Sequence, residues 1–204
     1  MANREGNIVI HETADVDASA ILRGNITIGA YTYVGPGTVL VGDVTIGHHS
    51  LVQCNVVIRG KNTIGNYVHI YDLVCIEQGR PARVGSSTAD VPDESVIEDG
   101  AWINHGATMH GSRLGAEAAV GLNAALDYNC RVGNGAIVTD GSACYVGAVI
   151  PENCIAEGVP ARIVKRNITD DDRRRIMGLV PIEWARYAGR LQEEEINRRR
   201  GRPG

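Results

Sequence analysis

The chain has 204 residues, 44% of them hydrophobic, enough for one domain with a sizeable core and little left for a second. A formal net charge of −4 argues against a nucleic-acid binder; the basic stretch 198–204 can make weak, salt-sensitive contacts, but a solvated tail is the simpler reading. The five cysteines form no CxxC pair, no charged leader precedes an apolar run, and no apolar stretch reaches membrane-spanning length, so we expect a soluble, cytoplasmic protein without disulfide framework, thiolate zinc site or membrane partner.

Residues 1–15 are mainly polar and are expected to form a lead-in that covers an otherwise unpaired strand edge. From Val16 the chain changes character. Val16, Leu22, Ile28, Val34, Leu40, Ile46, Val52, Ile58, Ile64, Ile70 and Ile76 are all aliphatic and fall six residues apart. A helix repeats its apolar positions at 3.6 residues and a strand at two, so a period of six belongs to a hexapeptide β-helix. Ile-Gly recurs at 28–29, 46–47 and 64–65, which makes three hexads one coil of a triangular prism. One aliphatic side chain per hexad fills a narrow interior, and Gly or a small polar residue beside it turns the corner. Large rings do not suit that interior, and the chain has no Phe. His48 and His49 follow such a corner; a metal site is conceivable there, but adjacent side chains on extended backbone point to opposite sides, which favours a surface turn.

The period breaks after Ile76. Glu77 to Ser95 is rich in Gly, Pro, Ser and charge and reads as a loop thrown out from one corner, with the excursion spanning 77–96. The register resumes at Ile97, Ile103 and Met109, shortens to a five-residue step to Leu114 beside His110, and runs on through Val120, Leu126, Val132, Val138, Cys144 and Ile150. The prism is expected to close near 157–166, giving a β-helix domain over 1–166 and a helical segment with a basic tail over 167–204. Thr169 followed by Asp170, Asp171 and Asp172 marks a helix start. Pro181 ends that helix and opens the next, in which Trp184, Tyr187, Ala188 and Leu191 make an apolar stripe expected to pack on the prism or a neighbouring subunit.

Stacking arithmetic turns this register into candidate sites. Ile58, Ile76 and Met109 share one face, so Arg59, Glu77 and His110, each one residue later, form a column. Ile70 and Ile103 share another face, and Asp72 and His105, two residues later, form a second. Glu77 and His110 on adjacent strands suit a shared metal ion, since zinc accepts both imidazole and carboxylate. His105 lies on a different face, and a threefold trimer would bring it from the next chain to complete the set.

The segment WINHGATMHG at 102–111, the IRG at 58–60, Asp72 and the closing GVPARIVKR at 158–166 resemble the gamma-class carbonic anhydrases. The resemblance covers nearly the whole chain and implies an all-β, left-handed parallel β-helix with C-terminal α-helices, assembled as a homotrimer with zinc, or iron, cobalt or manganese, between subunits. It implies metal ligation by His105 and His110, and pairing of Arg59 with Asp72 across the interface. Three positions depart from that pattern: Glu77 stands in place of the third histidine, Lys61 in place of the aspartate after Arg59-Gly60, and Tyr71 in place of a glutamine before Asp72, where its phenol either replaces the amide as a donor or packs. A carboxylate ligand lowers the charge of the centre, making bound water less acidic. The readings that follow are a metal-dependent lyase or hydratase on a small molecule; a thioester hydrolase on an organic acid or its CoA ester; a hexapeptide acyltransferase with a histidine general base, although the excursion holds no histidine; and a non-catalytic assembly subunit.

Overall fold

A period of six becomes a three-sided coil because each inward aliphatic needs a corner on either side of it, and each coil then needs a neighbour to satisfy its backbone. The computed structural model describes residues 3–78 and 94–201: an all-β solenoid of hexapeptide repeats, a left-handed parallel β-helix, followed by two C-terminal helices. Leu22, Leu40, Ile58, Ile76, Met109, Leu126 and Cys144 stack in one inward column, residue on residue, on parallel strands. Neighbouring strands lie about 4.8 Å apart. All seven side chains are buried.

In three early coils an eight-residue strand, Ile21–Ile28, Val39–Ile46 and Val57–Ile64, bends round one corner at a glycine. Gly24, Gly42 and Gly60 adopt φ of +108°, +115° and +83° there, and a Cβ on Gly42 would stand 2.5 Å from the Gly60 carbonyl oxygen. Other corners are tied by buried hydroxyls: Thr32 Oγ1 donates to the Gly47 carbonyl at 2.6 Å and Ser50 Oγ to the Gly65 carbonyl at 2.9 Å.

The structure refines three expectations. Arg4–Ile10 pairs residue for residue with Leu22–Ile28, so the lead-in covers that strand edge, and does so as a coil in the common register. His48 and His49 form the expected surface turn, but His49 adopts φ +54° and not the extended backbone assumed for it, so the two Nδ1 atoms meet at 2.8 Å and His49 stacks on Tyr67. Within one chain Trp184, Tyr187 and Leu191 are each 40–46% exposed, with Trp184 reaching Tyr71 by a side-chain hydrogen bond, so the prism does not bury the stripe, and packing on a neighbouring subunit remains the other expectation. The buried positions of that helix are Pro181, Ala185, Gly189 and Ile196. Small residues face the prism because the helix backbone comes so close: a Cβ on Gly189 would already lie 3.2 Å from His49 Cβ.

Residues 79–93, the heart of the expected excursion, lie outside the described residues. Around them the stack is intact. Val57–Ile64 pairs with Cys75–Glu77 along its first half and with Glu94–Ile97 along its second, and Ile70 stacks on Ile103. Arg162–Arg166 turns back antiparallel on Cys154–Glu157 to finish the sheet. The first helix, α1 (Asp170–Met177), starts at a capping box formed by Thr169 and Asp172 and ends at Gly178 in the left-handed conformation. The second, α2 (Pro181–Arg199), crosses the coils toward the N-terminal end, where Glu193 meets His49 at 3.1 Å and Arg199 meets Asp15 at 3.2 Å. None of the described helices is long and apolar enough to cross a membrane.

The glycine column yields a comparison. Gly42→Ala combines left-handed strain with a backbone clash and is expected to cost about 3 kcal/mol or more. Gly147→Ala, at φ +72° with no atom within 4 Å of the added Cβ, is expected to cost only about 1 kcal/mol. Urea unfolding of the two variants measures the difference, and equal losses would show that coil spacing relaxes freely.

Candidate active site

The first column forms as the register requires: Arg59, Glu77 and His110 are direct partners on successive strands. Within the chain, however, Glu77 is engaged by Arg59, with Nη1 to Oε1 at 3.0 Å. Both side chains are solvent-accessible, so this pair contributes under about 1 kcal/mol. His110 packs its ring against Tyr128 at a centroid distance of 5.2 Å.

The second column makes a tighter arrangement. Asp72 sits at a corner where Leu73 is held at φ +63°. Asp72 Oδ1 accepts the Cys54 backbone N–H at 2.8 Å, which fixes the carboxylate and leaves Oδ2 3.2 Å from His105 Nδ1. A carboxylate beside Nδ1 favours the tautomer protonated there and leaves the Nε2 lone pair available. The His105 ring is 46% exposed and leans on Tyr71 at 4.5 Å. Burial pushes the Tyr71 phenol above its usual range, so it stays a neutral donor at physiological pH.

Behind Tyr71 lies a histidine that the periodicity did not single out. His69 stacks on Tyr71 at 4.2 Å, meets Trp102 edge-on at 4.6 Å, and is only 4% exposed. Burial first, then the charge of His105, draws its pKa down to about 4, so it is neutral at physiological pH. The signal was present in the outward positions of one face. Leu51, His69, Trp102, Ala119, Ile137 and Ile155 stack in register and are all buried, which an outward column needs only if something covers it.

The cover stands off part of that face and leaves a cleft of about 800 Å³, within the range of small-molecule sites. Trp102, Ile137 and Ile155 form its floor. Ile176, Met177 and Leu179, from the end of α1 and the turn after it, form the facing wall, and Asn104 and His105 lie at the Trp102 end.

Of the six residues singled out in the sequence, the chain gathers Tyr71, Asp72 and His105 in one cluster beside this cleft and Arg59, Glu77 and His110 in another on a different sheet. Arg59 and Asp72 have separate partners within the chain. Among the described residues no three His, Cys, Asp or Glu side chains converge as a metal site within one chain.

Fold and repeat together define a hexapeptide-repeat left-handed β-helix protein. The bacterial transferase hexapeptide family (six repeats) matches residues 25–60. Among curated proteins the chain is similar to carnitine operon protein CaiE of Escherichia coli (strain K12), 28% identical over 105 residues, 52% of this chain and 48% of that protein. The match thus spans about half the length of that relative. Among solved structures the chain resembles a candidate acetyltransferase of Bacillus cereus, with a TM-score of 0.61 and 22% identity over 93% of this chain and 98% of the other. It also resembles the UDP-N-acetylglucosamine O-acyltransferase LpxA of Moraxella catarrhalis, with a TM-score of 0.51 and 15% identity over 83% of this chain and 76% of the other. At these identities the structures establish the shared fold.

Burial of His69 makes stability pH-dependent. Its imidazole takes up a proton near pH 6.5 when unfolded and near 4 when folded, so between these values the unfolded chain binds more protons. Stability is therefore full above pH 6.5, falls as the pH drops toward 4, and the loss, on the order of 3 kcal/mol, is complete below that. Urea midpoints measured from pH 7 to 4 should fall less steeply in His69→Gln. An identical slope would assign the acid sensitivity to other groups.

Proposed function

We propose that the chain is an acyltransferase that moves an acyl group from a thioester to a hydroxyl- or amine-bearing small molecule, with His105 as general base. The observation that carries this reading is the Asp72–His105 pair at 3.2 Å, at the end of a cleft lined by both apolar and polar side chains. Nε2 takes the proton of the attacking O–H or N–H as the acceptor's lone pair bonds to the thioester carbonyl carbon. When the C–S bond breaks, the imidazolium returns that proton to the departing thiolate. Asp72 is a positioning residue: it holds the ring and stabilises the imidazolium, while the neutral Tyr71 ring covers one face of the imidazole. The base comes from the Asn104-His105-Gly106 corner, so the excursion need not supply one. Acyltransferases of the same fold support the reading.

A second reading rests on the strand pairing of Glu77 with His110. In a homotrimer these two residues from one chain and His105 from the next would hold zinc, or iron, cobalt or manganese, and Asp72 would then orient a ligand in place of a base. Such a metal supplies Lewis-acid activation of water for lyase or hydratase chemistry. Glu77 would first have to leave Arg59, so we prefer the acyl-transfer reading.

Thiol release from acetyl-CoA, measured with a panel of amine and alcohol acceptors, tests the proposal. His105→Ala should lower kcat by about 10²–10⁴ with the fold intact. Asp72→Asn should also lower kcat substantially while leaving KM within about twofold, because the wrong tautomer still binds substrate. Activity should survive chelator. About one tightly held zinc per trimer interface, with CO2 hydration lost on its removal, would overturn acyl transfer and favour the second reading.

A further inference from the structure

We propose that the cleft beside His105 selects a short linear diamine as the acyl acceptor: one nitrogen attacks the thioester beside His105 while the other, an ammonium, is held by the Asp140 carboxylate. The proposal rests on the acyl-transfer reading and names its acceptor. The charged side chains that line the cleft beyond His105 are Asp140, Glu157 and Lys165. Lys165 pairs with Asp172, which stands outside the lining, so its charge is already answered. Asp140 and Glu157 have no ion-pair partner among the described residues. The opening therefore carries an uncompensated negative charge, which favours a cationic ligand.

Asp140 is held ready for such a contact. Its Oδ1 accepts the Leu122 backbone N–H at 2.7 Å, just as Asp72 Oδ1 accepts that of Cys54 at 2.8 Å, and this fixes the carboxylate. Asp72 spends its other oxygen on His105, one coil further on. At the matching place one coil beyond Asp140 the chain has Gly158, two residues after Ala156, with no side chain to offer. Asp140 Oδ2 is thus left for a ligand.

Strand register gives the spacing. Ile103, Val120 and Val138 are successive partners, so His105, Leu122 and Asp140, each two residues later, stack at one corner, and all three line the cleft. Two coil steps are about 10 Å. A polar contact of about 3 Å at His105 leaves about 7 Å between the two nitrogens. Five or six bonds of about 1.5 Å in an extended zigzag cover that distance, which means a spacer of four or five carbons. The nitrogen at His105 enters as the free amine, and the ammonium nearby lowers its proton affinity. Its lone pair bonds to the carbonyl carbon, Nε2 takes an N–H proton, and the thiolate released as the C–S bond breaks receives that proton. The product is an amide whose distal ammonium still faces Asp140.

Binding separates this proposal from the chemistry it rests on. The native protein, with CoA present in place of an acyl donor, is titrated calorimetrically with butane-1,4-diamine, ethane-1,2-diamine and butan-1-amine. Butane-1,4-diamine should bind at least about tenfold more tightly than either of the others, the worth of one charge-assisted hydrogen bond. Asp140→Asn keeps an oxygen for the Leu122 N–H and removes the charge, so its circular dichroism spectrum should match the native one while the preference over butan-1-amine falls to about twofold or less. A smaller preference in the native protein, no binding of any of the three, or a preference untouched by Asp140→Asn would each overturn the proposal. Diamine binding as expected, without thiol release from acetyl-CoA, would leave the cleft assignment standing and remove the acyl-transfer reading. Thiol release with the same KM for all three amines would do the reverse.

Discussion

Every coil of this protein depends on the one beside it for its backbone hydrogen bonds, and the inward aliphatics keep that dependence in register. A slip of one residue would turn the inward column outward, so insertions and deletions are tolerated only where the chain leaves the core. Both departures from the eighteen-residue coil obey this rule. The excursion adds residues between Glu77 and Glu94, the short step removes one between Met109 and Leu114, and the inward column passes both unbroken. Glu77 and His110 stand at those two departures. Their pairing is therefore a consequence of where the fold can absorb a change of length.

A second constraint follows from the outward positions. Apolar residues on the face carrying Leu51, Trp102, Ala119, Ile137 and Ile155 need a cover, and the C-terminal helices supply it. Where α2 must come close, the chain uses Ala185 and Gly189, while Tyr187 and Leu191 stay largely exposed and Trp184 reaches only as far as Tyr71. Where α1 ends at Gly178, the cover lifts off the sheet and the cleft opens beside His105. Core packing and site geometry thus share one cause, the changing distance between helix and prism.

This explains what the sequence made legible. The period of six located the coils, and counting by coils placed Arg59 with Glu77 and Asp72 with His105 before any contact was known, because stacking in a β-helix is one-dimensional. The capping box at Thr169 was equally local. The direction in which α2 presents its side chains was not local: an apolar stripe reads the same whether it faces the prism or points away, and only the close approach at His49 and Tyr67 decides. The surface turn at His48 and His49 was legible from its place at a corner, but the positive φ of His49, which brings the two rings together, was not. The cleft was missed because its floor is drawn from three coils and its wall from residues beyond the repeat.

Two histidines pack against the Tyr71 ring. His69 and His105 lie on opposite sides of the Tyr71 ring, yet their surroundings differ in kind. Around His69 are Trp102, Tyr71 and the Gln53 amide, and burial among them, with the charge of His105 nearby, draws its pKa down to about 4. His105 has Asp72 against Nδ1 and solvent against much of its ring, so charge there is compensated. His69 is thus a neutral, stacked support for Tyr71, while His105 stands half exposed against Asp72 beside the cleft.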